Sequence, residues 1–321
     1  MHTVDLGRRR GMMCRAGSWA LVSCVLLLGM GGGCGPAELL PEPPEPPEPR
    51  AQVQDVLVDN GLSFNGLSFN GLSFNGLSFN GLSFNGLSTE AFKNWFHSNP
   101  VLADEVMRYV VRCAVPAGQA RTYTCPQTGK TYAWTGSLGL APRWAGGSAS
   151  SELEQELVSA CLAAHVNPYK VSIPISVLGR HASGQVIAYT NDELNMFPKH
   201  ESCFFGNLFT GQGIYAGSRG TLLSQNQSSA RACAVVDNSG SQRLKCPPLV
   251  YVGDCSRHCT LDSTGLFFDR CVYSGAEYRP LATRMRDQDI YRCGDGTCQV
   301  TESCGTANWY NSCLPDCGIC R

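Results

Sequence analysis

The sequence has few charged residues: Asp, Glu, Lys and Arg make up 16% of 321 residues, and the formal net charge is −1. A near-neutral balance provides no basic field to attract a phosphate backbone, so nucleic acid is excluded as a partner. The zinc-protease HExxH, the Walker phosphate loop and the GxGxxG dinucleotide motif are also missing. Glycine and cysteine are abundant instead, with 35 and 18 residues. These features favour a binding or structural protein over an enzyme.

The apolar run near the N-terminus, Trp19–Met30, is too short to span a bilayer. It follows a basic stretch and leads into small residues that end at Cys34. This arrangement resembles a bacterial lipoprotein signal, which implies that Cys34 is lipidated and becomes the new N-terminus, although Gly31 stands where such signals usually carry Leu. We therefore expect a lipid-anchored protein of the outer membrane or cell surface. Cleavage after Ala37 is the alternative and gives a secreted protein.

Export determines how many cysteines are left to form disulfides. Either cleavage removes Cys14, Cys24 and Cys34 from the disulfide pool, which leaves fifteen of the 18 cysteines. An oxidising compartment favours disulfides among these residues. Since fifteen is odd, one thiol is either free or paired between chains.

Composition divides the chain into five segments. Residues 1–34 form the signal, and 35–59 form a tether whose PEPPEPPEP run favours stiff polyproline II. Residues 60–88 repeat the phrase NGLSF, 89–291 have globular composition, and 292–321 are rich in cysteine. The predicted fold class is α+β, with a disulfide-stapled globular domain and a small Cys-rich C-terminal module.

The repeat has a period of five residues, which fits neither a helix nor a strand alone. Each copy carries Asn-Gly, a strong turn signal. Read as Leu-Ser-Phe-Asn-Gly, it resembles the pentapeptide-repeat pattern, which implies a short solenoid. The alternatives are a disordered but adhesive linker, strands docked on the next domain, and self-association.

Helix and strand signals follow from Thr89 onwards. Ser151 and Glu154 form a capping box that opens the clearest helix. The segments RTYTC and KTYAWTGSL predict a hairpin, and Pro174 within VSIPISVLG indicates an edge strand. After Thr190 the glycine-rich sequence is interpreted as mostly loop.

The C-terminal segment has six cysteines in 28 residues, too many for a hydrophobic core, so we expect disulfides to hold it. Its pattern resembles a cysteine module that recurs at the ends of secreted myxobacterial proteins, as GSLGLAPRW, SACLAAHVN and CFFGNLF resemble uncharacterised secreted proteins of that group. The matching positions are Cys293, Gly294, Asp295, Gly296, Cys298, Glu302, Cys304, Cys313, Asp316, Cys317, Gly318 and Cys320. The carboxylates of Asp295, Glu302 and Asp316 are hard oxygen ligands that suit Ca²⁺; an Asx turn at Asp295 and a loop acid at Asp316 are the alternative.

Candidate reactive residues each have a structural alternative. Cys161 and His165 lie four residues apart on one helix, a spacing that suits a thiol nucleophile or half of a metal site, but the apolar face around Cys161 favours a disulfide or core thiol. Ser218 lies in a loose form of the nucleophile elbow, which needs a preceding strand that GIY hardly provides. In DCSRHC the two cysteines are expected in disulfides and His258 in solvent. Tryptophans could form a sugar- or peptide-binding face, although tryptophan is more often core; they are Trp134, Trp144 and Trp309.

Three functions remain open from the sequence. The first is an exported, envelope- or surface-tethered lipoprotein with a binding or structural role towards a protein or glycan ligand. The second is an exported hydrolase that uses Ser218 or a Cys/His pair. The third is an assembly or adhesion protein whose repeat self-associates.

Overall fold

The structure is a computed structural model that describes residues 62–65, 86–166, 173–219, 227–228, 248–299, 302–305 and 312–320. The chain divides into two units, residues 1–53 and 54–321, and every described residue belongs to the second. The predicted signal, the tether and most of the repeat lie outside the described residues.

The three longest helices each begin after a residue whose side chain caps the first turn. The Thr89 hydroxyl accepts the Phe92 N–H, and Ser151 and Glu154 form the predicted capping box. None of the helices in the described residues combines the length and apolar character that crossing a membrane requires. The helices are α1 Glu90–Ser98, α2 Pro100–Ala114, α3 Pro142–Ala145, α4 Glu152–His165, α5 Asn191–Met196 and α6 Leu314–Cys317.

Most strands belong to one six-stranded sheet with the order β1-β4-β12-β5-β6-β8. Its neighbours are antiparallel except β6 and β8, which are parallel. Strands β11-β10-β9 form a second sheet, β2 and β3 form the predicted hairpin, and β7 pairs with β13. The strands are β1 Leu62–Asn65, β2 Ala120–Thr124, β3 Thr131–Thr135, β4 Ile173–Gly179, β5 Lys199–Asn207, β6 Gly213–Ser218, β7 Gln227–Ser228, β8 Leu249–Asp254, β9 Cys259–Leu261, β10 Phe268–Tyr273, β11 Ala276–Tyr278, β12 Leu281–Met285 and β13 Tyr291–Arg292.

The large sheet is buried on both faces because it forms the middle layer of the fold. Ile175 of β4 and Phe204 of β5 belong to a core shared with α1, α2, α4 and the hairpin. Their neighbours Leu178 and Phe205 belong to a second core shared with β9, β10 and β11. Strands β4, β5 and β12 are therefore buried along most of their length, although β5 and β12 also carry buried polar residues such as Glu201 and Thr283.

The interpretation of the region after Thr190 as mostly loop is wrong. Strands β5 and β6 lie in this region and occupy the interior of the large sheet. Their glycines stand where neighbouring chains approach closely: a Cβ on Gly206 would lie 2.4 Å from the Gly213 carbonyl oxygen, and one on Gly217 would lie 2.9 Å from Cys255 Sγ.

Disulfides join both the globular region and the Cys-rich segment. Six are present among the described residues, and the last three join only cysteines of the C-terminal segment. The pairs are Cys113–Cys161, Cys203–Cys255, Cys259–Cys271, Cys293–Cys313, Cys298–Cys317 and Cys304–Cys320. The fold is therefore α+β and disulfide-stapled, and this many disulfides is typical of an exported protein.

Candidate functional site

The outer edge of the large sheet is completed by the pentapeptide repeat. Strand β1, which comes from the first copy, pairs antiparallel with β4 so that Phe64 faces Pro174 and Ser63 faces Ile175. β12 pairs with Ser176–Gly179 of β4, whereas β1 pairs with Ile173–Ser176. Pro174 has no N–H to donate and predicted an edge strand, but β4 pairs with β1 on one side and β12 on the other, so this prediction is wrong. The edge of β4 therefore acts as a strand acceptor.

The phrase that fills this edge occurs five times without change. Leu-Ser-Phe-Asn begins at Leu62, Leu67, Leu72, Leu77 and Leu82, and only Leu62–Asn65 lies within the described residues. Docking of strands on the next domain was one of the alternatives for the repeat, and the first copy adopts it. A shift of the chain by five residues would present the same four residues to the edge of β4.

The last, partial copy of the repeat also contacts the domain. Residues Gly86–Ser88 form one turn of 3-10 helix just before α1. Leu87 in this turn is partly buried against the main core. The two ends of the repeat therefore both meet the domain that follows it.

One cysteine among the described residues is not in a disulfide. Cys125 follows β2, is 5% exposed, and has its Sγ 3.2 Å from Nε2 of His97 in the last turn of α1. The Tyr123 hydroxyl lies 3.0 Å from the same nitrogen. Hydrogen bonds from the Thr128 hydroxyl and from the backbone N–H groups of Thr128 and Gln127 lower the pKa of the Cys125 thiol, although burial opposes them. Cys125 is therefore the one free thiol among the described residues.

The Cys161–His165 pair does not provide a free thiol. Cys161 is bonded to Cys113, as the structural interpretation of this pair requires. His165 is fully buried, and its Nδ1 lies 2.7 Å from the Cys161 carbonyl oxygen and 3.6 Å from the Cys161 sulfur. The imidazole therefore has a place in the core, and its neighbouring sulfurs are bonded to each other.

Ser218 ends β6, a six-residue strand and thus longer than the sequence indicated. Its hydroxyl lies 3.1 Å from the Tyr251 hydroxyl on β8. No histidine side chain makes a hydrogen bond with Ser218 among the described residues. The arrangement needed for a serine hydrolase is therefore not assembled in this part of the chain.

The acidic residues of the C-terminal segment bind its own backbone. Asp316 accepts N–H groups from Gly294, Asp295 and Gly296, and Asp295 accepts the N–H of Thr297 in an Asx turn. Glu302 is 9% exposed and accepts the Gln299 N–H. Calcium binding by Asp295, Glu302 and Asp316 stays a prediction.

Groups of His, Cys, Asp and Glu with ligand atoms within 4.8 Å of one another all include a disulfide, as far as the described residues go. They are Cys113, Cys161 and His165; Cys203, Cys259 and Cys271; Cys293, Cys313 and Asp316; and Cys298, Glu302 and Cys317. A sulfur bonded to another sulfur is not the thiolate that a metal ion requires. These groups therefore do not make metal centres.

A buried polar cluster underlies the acceptor strand β4. Glu193 on α5 is fully buried, its two carboxyl oxygens make no hydrogen bond in the described residues, and burial raises its pKa to about 7. Ser176 of β4 and Arg284 of β12 are near enough to oppose this rise. Arg284 donates to the Phe197 and Pro198 carbonyl oxygens and contacts His200. Burial and the charges of Arg219 and Arg284 lower the pKa of His200 to about 3, so His200 is neutral.

A cavity of about 420 Å³ lies between α4 and the small sheet. Its ionic groups are largely paired: Arg180 binds Asp269 at 2.7 Å, and Glu156 accepts the Arg279 N–H at 2.9 Å. Burial raises the pKa of Glu156, and the Arg279 N–H opposes the rise. The cavity thus has a polar lining in which most of the charge is already balanced.

The remaining sequence predictions concern aromatic and histidine residues. Trp134 and Trp144 are 2% and 6% exposed, so they are core residues rather than an open binding face. Trp309 lies outside the described residues. The two cysteines of DCSRHC are in disulfides as predicted, but His258 is half-buried, because its Nε2 lies 3.1 Å from the Val252 carbonyl oxygen. The expectation of an exposed His258 is wrong.

The fold defines an α+β protein with disulfides in both its globular and its Cys-rich region, a strand-acceptor edge and, among the described residues, one free thiol. No protein-family model, curated protein or solved structure matches the chain. Sequence reasoning missed Cys125, His97 and Glu193. Only the odd number of cysteines signalled a free thiol, and it did not say which one.

Proposed function

We propose that the chain is an exported protein with a structural role at the cell envelope or surface, assembled through its repeat and anchored through Cys34. The disulfides support export, because they form and persist in oxidising compartments. The basic and apolar run that ends at Cys34 supports the anchor. Ligand recognition by the domain is not needed for this role.

The pairing of β1 with β4 is the observation that carries the assembly role. One acceptor edge takes one strand, whereas the chain carries five copies of Leu-Ser-Phe-Asn. Four copies are therefore surplus to the acceptor edge of their own chain. Because the copies are identical, a strand from a second chain can make the same main-chain pairs in the same register. If two chains each give a strand to the other, they form a closed dimer. If each chain gives its strand to the next one, they form an open filament.

Anchoring favours exchange between chains over docking within one chain. The first copy is covalently close to its own edge, which gives it an effective concentration of about millimolar order. A second chain competes only where its local concentration is similarly high. Lipid anchors that confine many chains to one membrane surface provide that condition. The proposed anchor and the proposed assembly therefore support each other.

Disulfide trapping between two chains tests this proposal. Phe64 and Pro174 are directly paired, so Phe74, at the same place in the third copy, faces Pro174 of another chain if the strands exchange. We expect chains with Phe74→Cys and chains with Pro174→Cys to form a cross-linked heterodimer when mixed and oxidised. Directly paired residues lie at a Cα separation that a disulfide can bridge. Both chains also carry Cys125→Ser to remove the known free thiol.

The control replaces Phe74→Cys with Val101→Cys on the surface of α2, where the side chain is 82% exposed. This thiol is accessible but lies outside the repeat, so it should give no heterodimer. Equal cross-linking by both variants, or none by the repeat variant at concentrations where the parent chain self-associates, would refute strand exchange. The single chain with Phe64→Cys and Pro174→Cys should form the bond internally, which checks the register itself.

The anchor is tested separately. The parent chain should incorporate radioactive fatty acid in its bacterial host, and Cys34→Ala should abolish the label. Cleavage after Ala37 instead predicts no label in either chain and protein in the medium.

A further inference from the structure

The cavity between α4 and the small sheet contains more ionic groups than its ion pairs use. Its lining includes three cations and three anions, which are Arg180, Arg270, Arg279, Glu156, Asp269 and Glu277. Two ion pairs, Arg180–Asp269 at 2.7 Å and Arg270–Glu277 at 3.6 Å, use four of these groups. In the described part of the chain, Glu156 and Arg279 form an ion pair neither with each other nor with another side chain. One anion and one cation of the lining are therefore left over.

Glu156 is the left-over anion, and it is buried. Its side chain on α4 is only 8% exposed. Oε2 accepts the Arg279 N–H at 2.9 Å, whereas Oε1 makes no hydrogen bond with any described residue. Burial raises the pKa of this carboxyl, and the Arg279 N–H opposes the rise without cancelling it. A buried carboxyl normally has partners for both oxygens, so a bare oxygen at the wall of a cavity indicates a missing donor.

Arg279 is the left-over cation, and it is held beside this carboxyl. It follows Tyr278, the last residue of β11, and is half-buried. The hydrogen bond from its own N–H to Glu156 fixes its backbone next to the carboxyl, and its charge favours the ionised form of Glu156. Its guanidinium makes no hydrogen bond or ion pair with the described residues. A guanidinium presents five N–H donors in a planar fork that fits a carboxylate, so Arg279 is available to bind one.

The two unused groups favour a ligand that carries both charges. A ligand with a carboxylate alone would leave Glu156 without a donor, and one with an ammonium alone would leave Arg279 without an acceptor. A neutral sugar would compensate neither charge. An α-amino acid carries its ammonium and its carboxylate on one carbon, so it fits a carboxyl and a guanidinium that lie close together but are not paired. The cavity volume of about 420 Å³ is at the lower end of the range for small-molecule sites, about 300–1,000 Å³.

We propose that this cavity binds a free amino acid. The ammonium donates to Glu156 Oε1, the Arg279 guanidinium donates to the ligand carboxylate, and Leu153 and Tyr278 give the cavity an apolar wall for the ligand side chain. The site does not involve the repeat or the strand pairing of β1 with β4. Binding here and the proposed structural role are therefore tested separately.

Calorimetric titration of the full, non-reduced chain tests the proposal. The probes are glycine, L-alanine and L-leucine, each compared with its amide, which lacks the carboxylate, and with its N-acetyl form, which lacks the ammonium. We expect at least one amino acid to bind at least about tenfold more tightly than either of its derivatives, because each derivative loses a hydrogen bond between charged groups. No binding by any of the three amino acids overturns the proposal. A derivative that binds as tightly as its amino acid also overturns it, as does glucose if this neutral polyol binds at least as tightly.

Two substitutions assign each charge of the ligand to its residue. Glu156→Gln keeps an oxygen to accept the Arg279 N–H but removes the negative charge, and Arg279→Met removes the guanidinium. Each should weaken amino-acid binding about tenfold. Glu156→Gln should also abolish the preference over the N-acetyl form, and Arg279→Met the preference over the amide, which a general loss of structure would not produce. If both variants fold like the parent and keep the parental preferences, these residues do not bind the ligand and the proposal fails.

Arg270→Met is the matched control. It also removes one guanidinium from the lining of the cavity, but Arg270 is already paired with Glu277 and its side chain is 59% exposed. We expect the affinity for the amino acid to change by less than about twofold, because exposed ion pairs contribute little. A loss as large as that of Arg279→Met would show that the general charge of the cavity attracts the ligand, and it would refute the assigned site.

Discussion

Two cysteine–histidine contacts of this protein can be compared. In one, the sulfur is in a disulfide within the core; in the other, the sulfur is a free thiol just after the first strand of a hairpin. The core contact joins α2 to α4 through Cys113–Cys161, with His165 fully buried beside it. The hairpin contact brings Cys125 to His97, and hydrogen bonds from Thr128 and Gln127 lower the pKa of its thiol. The sulfur–imidazole distances differ by less than 1 Å: 3.2 Å at Cys125 against 3.6 and 4.0 Å in the core.

Distance to histidine therefore does not decide what each sulfur does. A partner cysteine does, since Cys161 bonds Cys113 whereas Cys125 has no such partner among the described residues. Hydrogen bonds then act on the pKa of the free thiol in the direction opposite to burial. Two buried carboxyls repeat this difference. Glu193 makes no carboxyl hydrogen bond in the described residues and its pKa rises, whereas Asp262 has several donors and its pKa falls although burial opposes the fall.

The largest effect should come from the sulfurs of the core contact. The double variant with Cys113→Ala and Cys161→Ala opens a loop with a sequence separation of 48 residues. Chain entropy predicts a loss of about 4 kcal/mol in the free energy of unfolding. Denaturant unfolding of the non-reduced protein measures it.

Cys259–Cys271 is the matched disulfide, with a sequence separation of 12. Its double alanine variant should lose about 3 kcal/mol, so the core pair should cost about 1 kcal/mol more. The order is the essential result. An equal or larger loss at Cys259–Cys271 would show that the core disulfide is not the more stabilising of the two.

The sequence predicts the parts of the fold that local chemistry determines. Ser151 and Glu154 cap α4 as a box, and the PQTG turn joins β2 to β3. The edge strand that Pro174 predicted is wrong, because a strand of the repeat covers that side of β4. The sequence also fails to predict β5 and β6, where Gly206 and Gly217 resemble loop signals. Those glycines are required by the close approach of a neighbouring strand at Gly206 and of the Cys203–Cys255 disulfide at Gly217, and the disulfide partner Cys255 is remote in sequence from Gly217.

The candidate sites show the same limit. Cys161 and His165 are visible as a pair because they lie on one helix, yet a cysteine 48 residues away bonds the sulfur. Cys125 and His97 are 28 residues apart and belong to a hairpin and a helix, so no spacing rule joins them. Docking of the repeat on the next domain was one of several alternatives for it. A period of five residues does not reveal which strand of the domain would pair with the repeat.

The next largest effect concerns Glu193. Its pKa of about 7 in the folded chain exceeds the ordinary value of 4.5, so the folded state binds the proton more tightly. Stability is therefore fully present below pH 4.5 and falls as pH rises towards 7, by about 3 kcal/mol at most. Glu193→Gln keeps a neutral side chain at every pH and should remove this fall.

Chemical unfolding of both chains at pH 4.5 and pH 7.5 measures the difference. His200 acts in the opposite direction, since its lowered pKa makes stability rise with pH, but it is present in both chains and cancels in the comparison. An advantage of the Gln variant that does not grow between the two pH values would mean that Glu193 ionises freely in the folded state.

The smallest effect is expected at Asp262, the carboxyl that has donors. It is 7% exposed and accepts the N–H groups of Thr264 and Leu266 and the Thr264 hydroxyl. Burial would raise its pKa, but these hydrogen bonds lower it below the ordinary 3.8. Its contribution is therefore present above pH 3.8 and lost as pH falls through the lower, folded value. Asp262→Asn should cost about 1–2 kcal/mol at pH 7, and less at pH 3, because the parent then loses the charged acceptor too. If the loss of stability in Asp262→Asn stays constant with pH, the effect comes from packing and not from the charge of Asp262. The contrast with Glu193 would then fail, because Glu193→Gln is expected to gain stability relative to the parent as pH rises.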